Sequence, residues 1–115
     1  MTAASHPHPD LDAELCKAGF SLVTDSAKLL GYRRRIGEII YVKKTQKKSV
    51  VVDPRYFSHG EVISGVEGYS YWNSNLSEFQ KSPRGGLKPE RNGIAFDIPT
   101  AGHVINIAHA LRGKL

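Results

Sequence analysis

The sequence is poor in cysteine, with Cys16 alone among 115 residues. A single cysteine excludes an internal disulfide framework and a cysteine-rich zinc site. It also makes a reducing, cytoplasmic setting the simplest reading. No apolar run approaches the roughly 18 residues that a spanning helix needs, so no membrane partner is expected. The N-terminus MTAASHPHPD carries neither a basic stretch nor an apolar core, and no secretory signal is read there. The Gly-x-Ser-x-Gly elbow is missing. Gly85-Gly86 is not followed by Gly-Lys-Ser/Thr and has no βαβ unit around it, which excludes a phosphate-cradling loop. No internal repeat or linker divides the chain. What remains is 40% hydrophobic and 23% charged, enough apolar surface to offset ordering entropy in one small domain. We read residues 1–9 as a loose tail and 10–115 as a single domain.

Two amphipathic helices frame that domain. After Asp10, a candidate N-cap, Leu11, Leu15 and Ala18 fall at i, i+4 and i+7 on one face, and Gly19 stops the run. Near the other end Thr100 is a candidate N-cap. Ala101, Val104, Ile105, Ala108 and Leu111 then form an apolar stripe that Gly113 ends. Between the helices, short β-rich runs alternate with turn signals: 20–24, 29–34, 38–43 and 49–53, the last closed by Pro54. Residues 55–75 carry three glycines and the cluster Tyr69-Ser70-Tyr71-Trp72, in which alternation places both tyrosines on one face and Trp72 on the other. Residues 76–81 fit a short strand or one helical turn, 82–91 a loop by composition, and 92–98 a last strand. The sum is an α+β fold, an antiparallel β-sheet of about five to six strands with the N-terminal and C-terminal helices packed on one face. One sheet face would then lack helices and, if aromatic, stand open to a partner.

At the centre of the chain GYRRRIGEIIYVKK leads into a VVVDP strand end. The first helix runs into Gly19-Phe20, and NGIAFDI opens onto the final helix with Ala108 and Leu111. In these features, over about residues 11–112, the chain resembles the YgaC-like family of small bacterial proteins of unknown function. The resemblance implies an antiparallel sheet with flanking helices, similar to the N-terminal domain of the competence regulator TfoX. It carries no activity and no catalytic residues. The pattern departs from the family between Arg55 and Gln80 and in the basic stretch Arg84 to Arg91.

Chemistry finds little footing. Glu38, Asp53, Glu61 and Glu67, with Lys43 or Lys44, lack the compact acid and lysine spacing of metal-assisted nucleases. Asp53 before Pro54 reads as a turn residue. His6 and His8 have no further ligands nearby, and His103 and His109 lie six apart on different faces of a helix, so no metal and no cofactor are expected. His59 between Ser58 and Glu61 is not a triad by adjacency. Cys16 has no activating neighbour.

Charge is the positive signal. The net charge is +5, and residues 32–48 alone contain three Arg, four Lys and one Glu. Such a concentration suits an anionic partner. We therefore expect a non-enzymatic protein that binds DNA or RNA through Arg33, Arg34, Arg35, Lys43, Lys44, Lys47 and Lys48. Arg84, Lys88 and Arg91 would help if their loop folds toward either cluster. In an antiparallel meander Arg33–Arg35 lie at the opposite end from Lys47, so convergence is not guaranteed. Tyr32, Tyr41, Tyr69, Tyr71 and Trp72 would stack on bases. The alternative is a protein-interaction module or homodimer that engages an acidic protein.

Overall fold

Alternation along the central strands writes two faces into one sheet, and each face finds a different cover. The computed structural model describes residues 7–115. Its elements are α1 (Pro9–Lys17), β1 (Ser21–Asp25), β2 (Leu29–Arg33), β3 (Ile39–Lys43), β4 (Ser49–Val52), β5 (Val62–Ile63), β6 (Val66–Glu67), β7 (Tyr69–Trp72), β8 (Lys81–Arg84), β9 (Leu87–Asp97) and α2 (Val104–Lys114). A 3-10 turn at Ala101–His103 leads into α2. The main sheet is antiparallel in the order β1-β2-β3-β4-β9-β7, with β8 paired to β9, and β5-β6 is a separate hairpin. The fold is therefore α+β, as expected.

On the first face Leu22, Leu30, Tyr32, Ile40, Val42, Val50, Val52, Ile94 and Phe96 pack beneath both helices. Leu11 and Leu15 come from α1, and Val104, Ile107, Ala108 and Leu111 from α2. Each large side chain buried there stabilises the fold by about 1.5–3 kcal/mol. The Tyr32 hydroxyl donates 2.6 Å to Asp12 Oδ1 and ties α1 to the sheet. Burial, then the Asp12 carboxylate, push that phenol's pKa well up.

The second face has no helix, yet it is not open. The segment 73–80 crosses it in tight turns, with Leu76 N–H donating to Asn73 O and Phe79 N–H to Leu76 O. Leu76 and Phe79 plug a second core of Leu29, Tyr41, Val51 and Ala95. The Phe79 ring meets Tyr41 edge-on at 5.1 Å. Polar ties pin the plug. Glu78 N–H donates 3.1 Å to the Tyr41 hydroxyl, Arg33 pairs with Glu78, and Arg91 donates to Phe79 O. The bare sheet face expected from a two-layer fold is thus covered by the chain itself.

Gly93 makes the close fit feasible. A Cβ there would stand 2.4 Å from Val51 Cγ1 and 3.2 Å from Phe79 Cε2.

Several boundaries differ from the sequence reading. Residues 1–6, including His6, lie outside the described residues. His8 is buried, its Nε2 lies 2.7 Å from Thr45 O, and Pro9 already opens α1, so the ordered domain starts before Asp10. Asp10 occupies the first turn, where its carboxylate accepts from Leu11 N–H at 2.9 Å. At the other end α2 runs through Gly113 to Lys114. The largest correction concerns residues 82–91. They form the hairpin β8-β9 and not a loop, and β9 begins at Leu87 and not at Asn92.

Candidate nucleic-acid interface

The strand registers decide where the cations gather. β2 pairs with β3 from Leu29↔Lys43 to Arg33↔Ile39, β3 with β4 through Tyr41↔Val51, and β4 with β9 from Ser49↔Asp97 to Val52↔Ile94. Arg33–Arg35 therefore leave one end of the sheet, while Lys43, Lys44, Lys47 and Lys48 lie at the other. β9 continues past its last rung with β7, Trp72↔Asn92, and pairs there with β8 through Lys81↔Arg91, Ser82↔Glu90 and Arg84↔Leu87. Five residues of β9 thus extend roughly 15 Å beyond the sheet, at the arginine end. Gly85 and Gly86, at φ 47° and 79°, turn the ribbon. Ser82 and Glu90 are half-buried, whereas Lys81, Pro83, Arg84, Lys88 and Pro89 are exposed. With exposed residues on both its faces, the ribbon projects from the body. Pro83 and Pro89 remove backbone donors and blunt its free edges.

The arginine end carries Arg33, Arg34, Arg35, Arg55, Lys81, Arg84, Lys88 and Arg91 against Glu38, Asp53, Glu78 and Glu90. Eight cations against four acids make a local +4 of the chain's +5. These cations are not equally free. Arg34 is structural. It pairs with Glu38, which is only 3% exposed, donates 2.9 Å to Ala18 O and stacks on Phe20 at 4.7 Å. Arg33 and Arg91 hold the plug. Arg55 forks onto Asp53 at 2.8 and 3.0 Å; hydrogen bonding to that carboxylate, and then its charge, raise the guanidinium pKa. The Asp53 carboxylate also accepts from Arg55 N–H at 2.9 Å, the turn role read from the sequence. Arg84 pairs with Glu90 and lies over Trp72, 5.1 Å from its centroid. Arg35, Lys81 and Lys88 are exposed and, among the described residues, form no ion pair.

At the opposite end the lysines are largely committed. Lys44 pairs with Asp25, Lys48 lies 3.4 Å from Asp10, and Lys47 lies 3.7 Å from Asp97. Lys43 is buried. Its ammonium donates 2.8 Å to the Tyr69 hydroxyl and sits 4.0 Å from the Tyr71 ring centroid. Tyr69 in turn donates 2.8 Å to Asp97 Oδ1. Burial pulls the Lys43 pKa down, against Tyr71 and Asp97. Burial and then Asp97 push the Tyr69 phenol up. Burial alone would raise Asp97, but Ser49, Tyr69, Lys43 and Lys47 outweigh it and hold the carboxyl below its usual range. This network is a staple across three strands, and it takes Lys43 out of reach of a phosphate.

The aromatics divide accordingly. Tyr32 and Tyr41 are core residues. Tyr69 and Tyr71 share the second face and Trp72 opposes them, all three half-buried. The candidate acids are dispersed. Glu38, Asp53 and Glu61 each meet a different cation. Among the described residues no three His, Cys, Asp or Glu side chains group as metal ligands. His59 lies 3.2 Å from Ser70 Oγ and accepts from Ser70 N–H at 3.1 Å, while Glu61 Oε1 accepts from Ser58 N–H, so Ser58, His59 and Glu61 form no relay.

Lys81 and Arg55 escaped the sequence reading. For Lys81 the signal was present, since a Gly-Gly pair between two short arms is a hairpin mark. For Arg55 nothing in the sequence set it apart.

No family model matches the chain, and no curated protein and no solved structure is detectably similar to it. Among the described residues no helix is long and apolar enough to cross a membrane.

Proposed function

We propose that this protein binds nucleic acid without catalysis, and that it does so through the arginine end of its sheet. The observation that carries the reading is the ribbon. A two-stranded β-ribbon projects from the end of the molecule that holds most of its net charge, and exposed Lys81 and Lys88 stand on it with no carboxylate partner among the described residues. A ribbon of this width enters the major groove of a duplex. Arg35, on the neighbouring β2–β3 turn, reaches a phosphate beside it. The ten cations expected from sequence thereby reduce to a smaller working set: Arg35, Arg84 and Lys88 from that list, joined by Lys81. Lys44, Lys47 and Lys48 lie at the far end.

Fluorescence anisotropy with single- and double-stranded DNA and RNA tests the reading. A site engaging about five phosphates gives a log–log salt slope of about −4 to −5. The variant Arg35/Lys81/Lys88→Ala is expected to weaken binding and to flatten the slope by about 2 to 3. Lys44/Lys47/Lys48→Ala removes the same charge at the far end and leaves the slope within about 1 of wild type. Absence of binding at low salt, or equal loss in both variants, refutes the assignment. Replacing Arg33–Arg35 together would not be a fair test, because Arg34 and Arg33 hold the fold.

A further inference from the structure

Ile36 is 98% exposed, more than the other exposed aliphatics Val23, Val62 and Leu115, and the turn that carries it is tight. Glu38 N–H donates 2.9 Å to Arg35 O, and Arg34 N–H donates 3.1 Å to Glu38 O. Gly37 supplies the positive φ of 86° that such a turn requires after Ile36. Beneath it half-buried Arg34 pairs with buried Glu38 and closes the base of the hairpin. The β-branched side chain is itself stiff about χ1. The result is an apolar point held by two backbone hydrogen bonds, flanked by exposed Arg35 and by Leu115, which lies beside Gly37. It lies at the same end as the ribbon, two to three strand spacings away from β9, roughly 10–14 Å. That separation is about 3–7 Å short of half a turn of B-DNA, ~17 Å, which separates a major groove from the next minor groove, and the Ile36 and Arg35 side chains reach across the difference.

We propose that Ile36 is a wedge. With the ribbon in a major groove, the β2–β3 turn enters the adjacent minor groove, Arg35 holds the phosphate, and Ile36 inserts between base pairs and kinks the duplex. Apolar side chains used this way unstack a step at a cost that is lowest at flexible pyrimidine–purine steps. The ligand class is thus duplex DNA that bends at a TA or CA step. This inference rests on the nucleic-acid reading above, and it narrows that reading to a bent duplex.

The test uses the full chain and an end-labelled duplex of about 40 base pairs with one central TA step and 2-aminopurine beside it. Energy transfer between the ends reads the bend, and 2-aminopurine emission reads unstacking. Wild type is expected to raise both signals at saturation. Ile36→Ser is expected to bind with an unchanged salt slope and to lose both signals. Ile36→Leu, which keeps an apolar point, retains them. If Ile36→Ser bends the duplex as wild type does, or wild type saturates it without bending, the wedge is refuted while binding stands. If wild type fails to bind any duplex, the inference falls, and the reading above survives only through single strands. If Ile36→Ser alters self-association by light scattering and leaves bending unchanged, Ile36 belongs to a protein contact and the wedge is refuted.

Discussion

Replacing Phe79 by alanine tests whether the 73–80 plug belongs to the cooperative fold. The ring is 1% exposed and lies against Tyr41, Val51 and Gly93. A buried aromatic of this size removes about 150–200 Å² from water, which at about 25 cal/mol per Å² is roughly 4–5 kcal/mol. A partly collapsed unfolded chain lowers that by about 10–40%. Loss of the edge contact with Tyr41 adds about 0.5–1 kcal/mol. The expected destabilisation is therefore about 3–5 kcal/mol, within the usual span for Phe→Ala. Urea unfolding followed by circular dichroism reads it. With an m-value of about 1.5 kcal/mol/M, the midpoint falls by about 2–3 M while m stays constant. Leu76→Ala in the same background should then cost less than it does alone, because a plug already loosened has little left to lose. A loss below about 1 kcal/mol for Phe79→Ala would refute the argument. It would mean that the segment merely rests on the sheet.

Two further outcomes follow from the ion pairs. Arg34→Ala strands the buried Glu38 carboxylate and is expected to cost about 3 kcal/mol or more, whereas exposed Arg35→Ala stays within about 0.5 kcal/mol; parallel urea titrations separate the neighbours. In acid, Asp97 and Glu61 both have carboxyls held below their ordinary values in the fold, with burial opposing the partners that lower them. Their stabilisation is present above the unfolded carboxylate range, near pH 4, and is lost as pH falls through the lower folded values. Thermal melts from pH 6 to 2 should show Tm falling in that window, with a shallower fall in Asp97→Asn; an identical fall would refute the role given to Asp97.

What could be read in the sequence was whatever repeats with a period. Leu11 and Leu15 declared one helix, and the stripe from Ala101 to Leu111 declared the other. The run from Val50 to Val52 declared a strand, though not that both its sides would be covered. Their faces follow from geometry, and the structure places them accordingly. The ribbon was hidden for the opposite reason. Standing in solvent, it needs no apolar alternation, and its prolines and glycines look like loop. The plug was hidden because its partners are remote. Leu76 and Phe79, three apart, fit a helical turn as well as they fit anything, and only the tertiary fold sets them on Tyr41 and Leu29. The candidate site suffered most from this blindness to distance. Arg33 meets Glu78 45 residues away, and Lys43 meets Tyr69 26 residues away. A count of charges along the chain cannot tell a spent cation from a free one.

The single strand β9 runs unbroken from the middle of the sheet into the ribbon. Its inner half, Asn92 to Asp97, is buried apart from Asp97, which is half-buried, while in its outer half Lys88 and Pro89 are exposed and Glu90 and Arg91 half-buried. The ribbon is therefore a cantilever clamped in the core and not an arm on a hinge. Its direction is fixed when the protein folds, so a partner meeting the tip has little ordering entropy left to supply. A push on the tip is carried as torque into the packing around Gly93, where Val51 and Phe79 leave no slack.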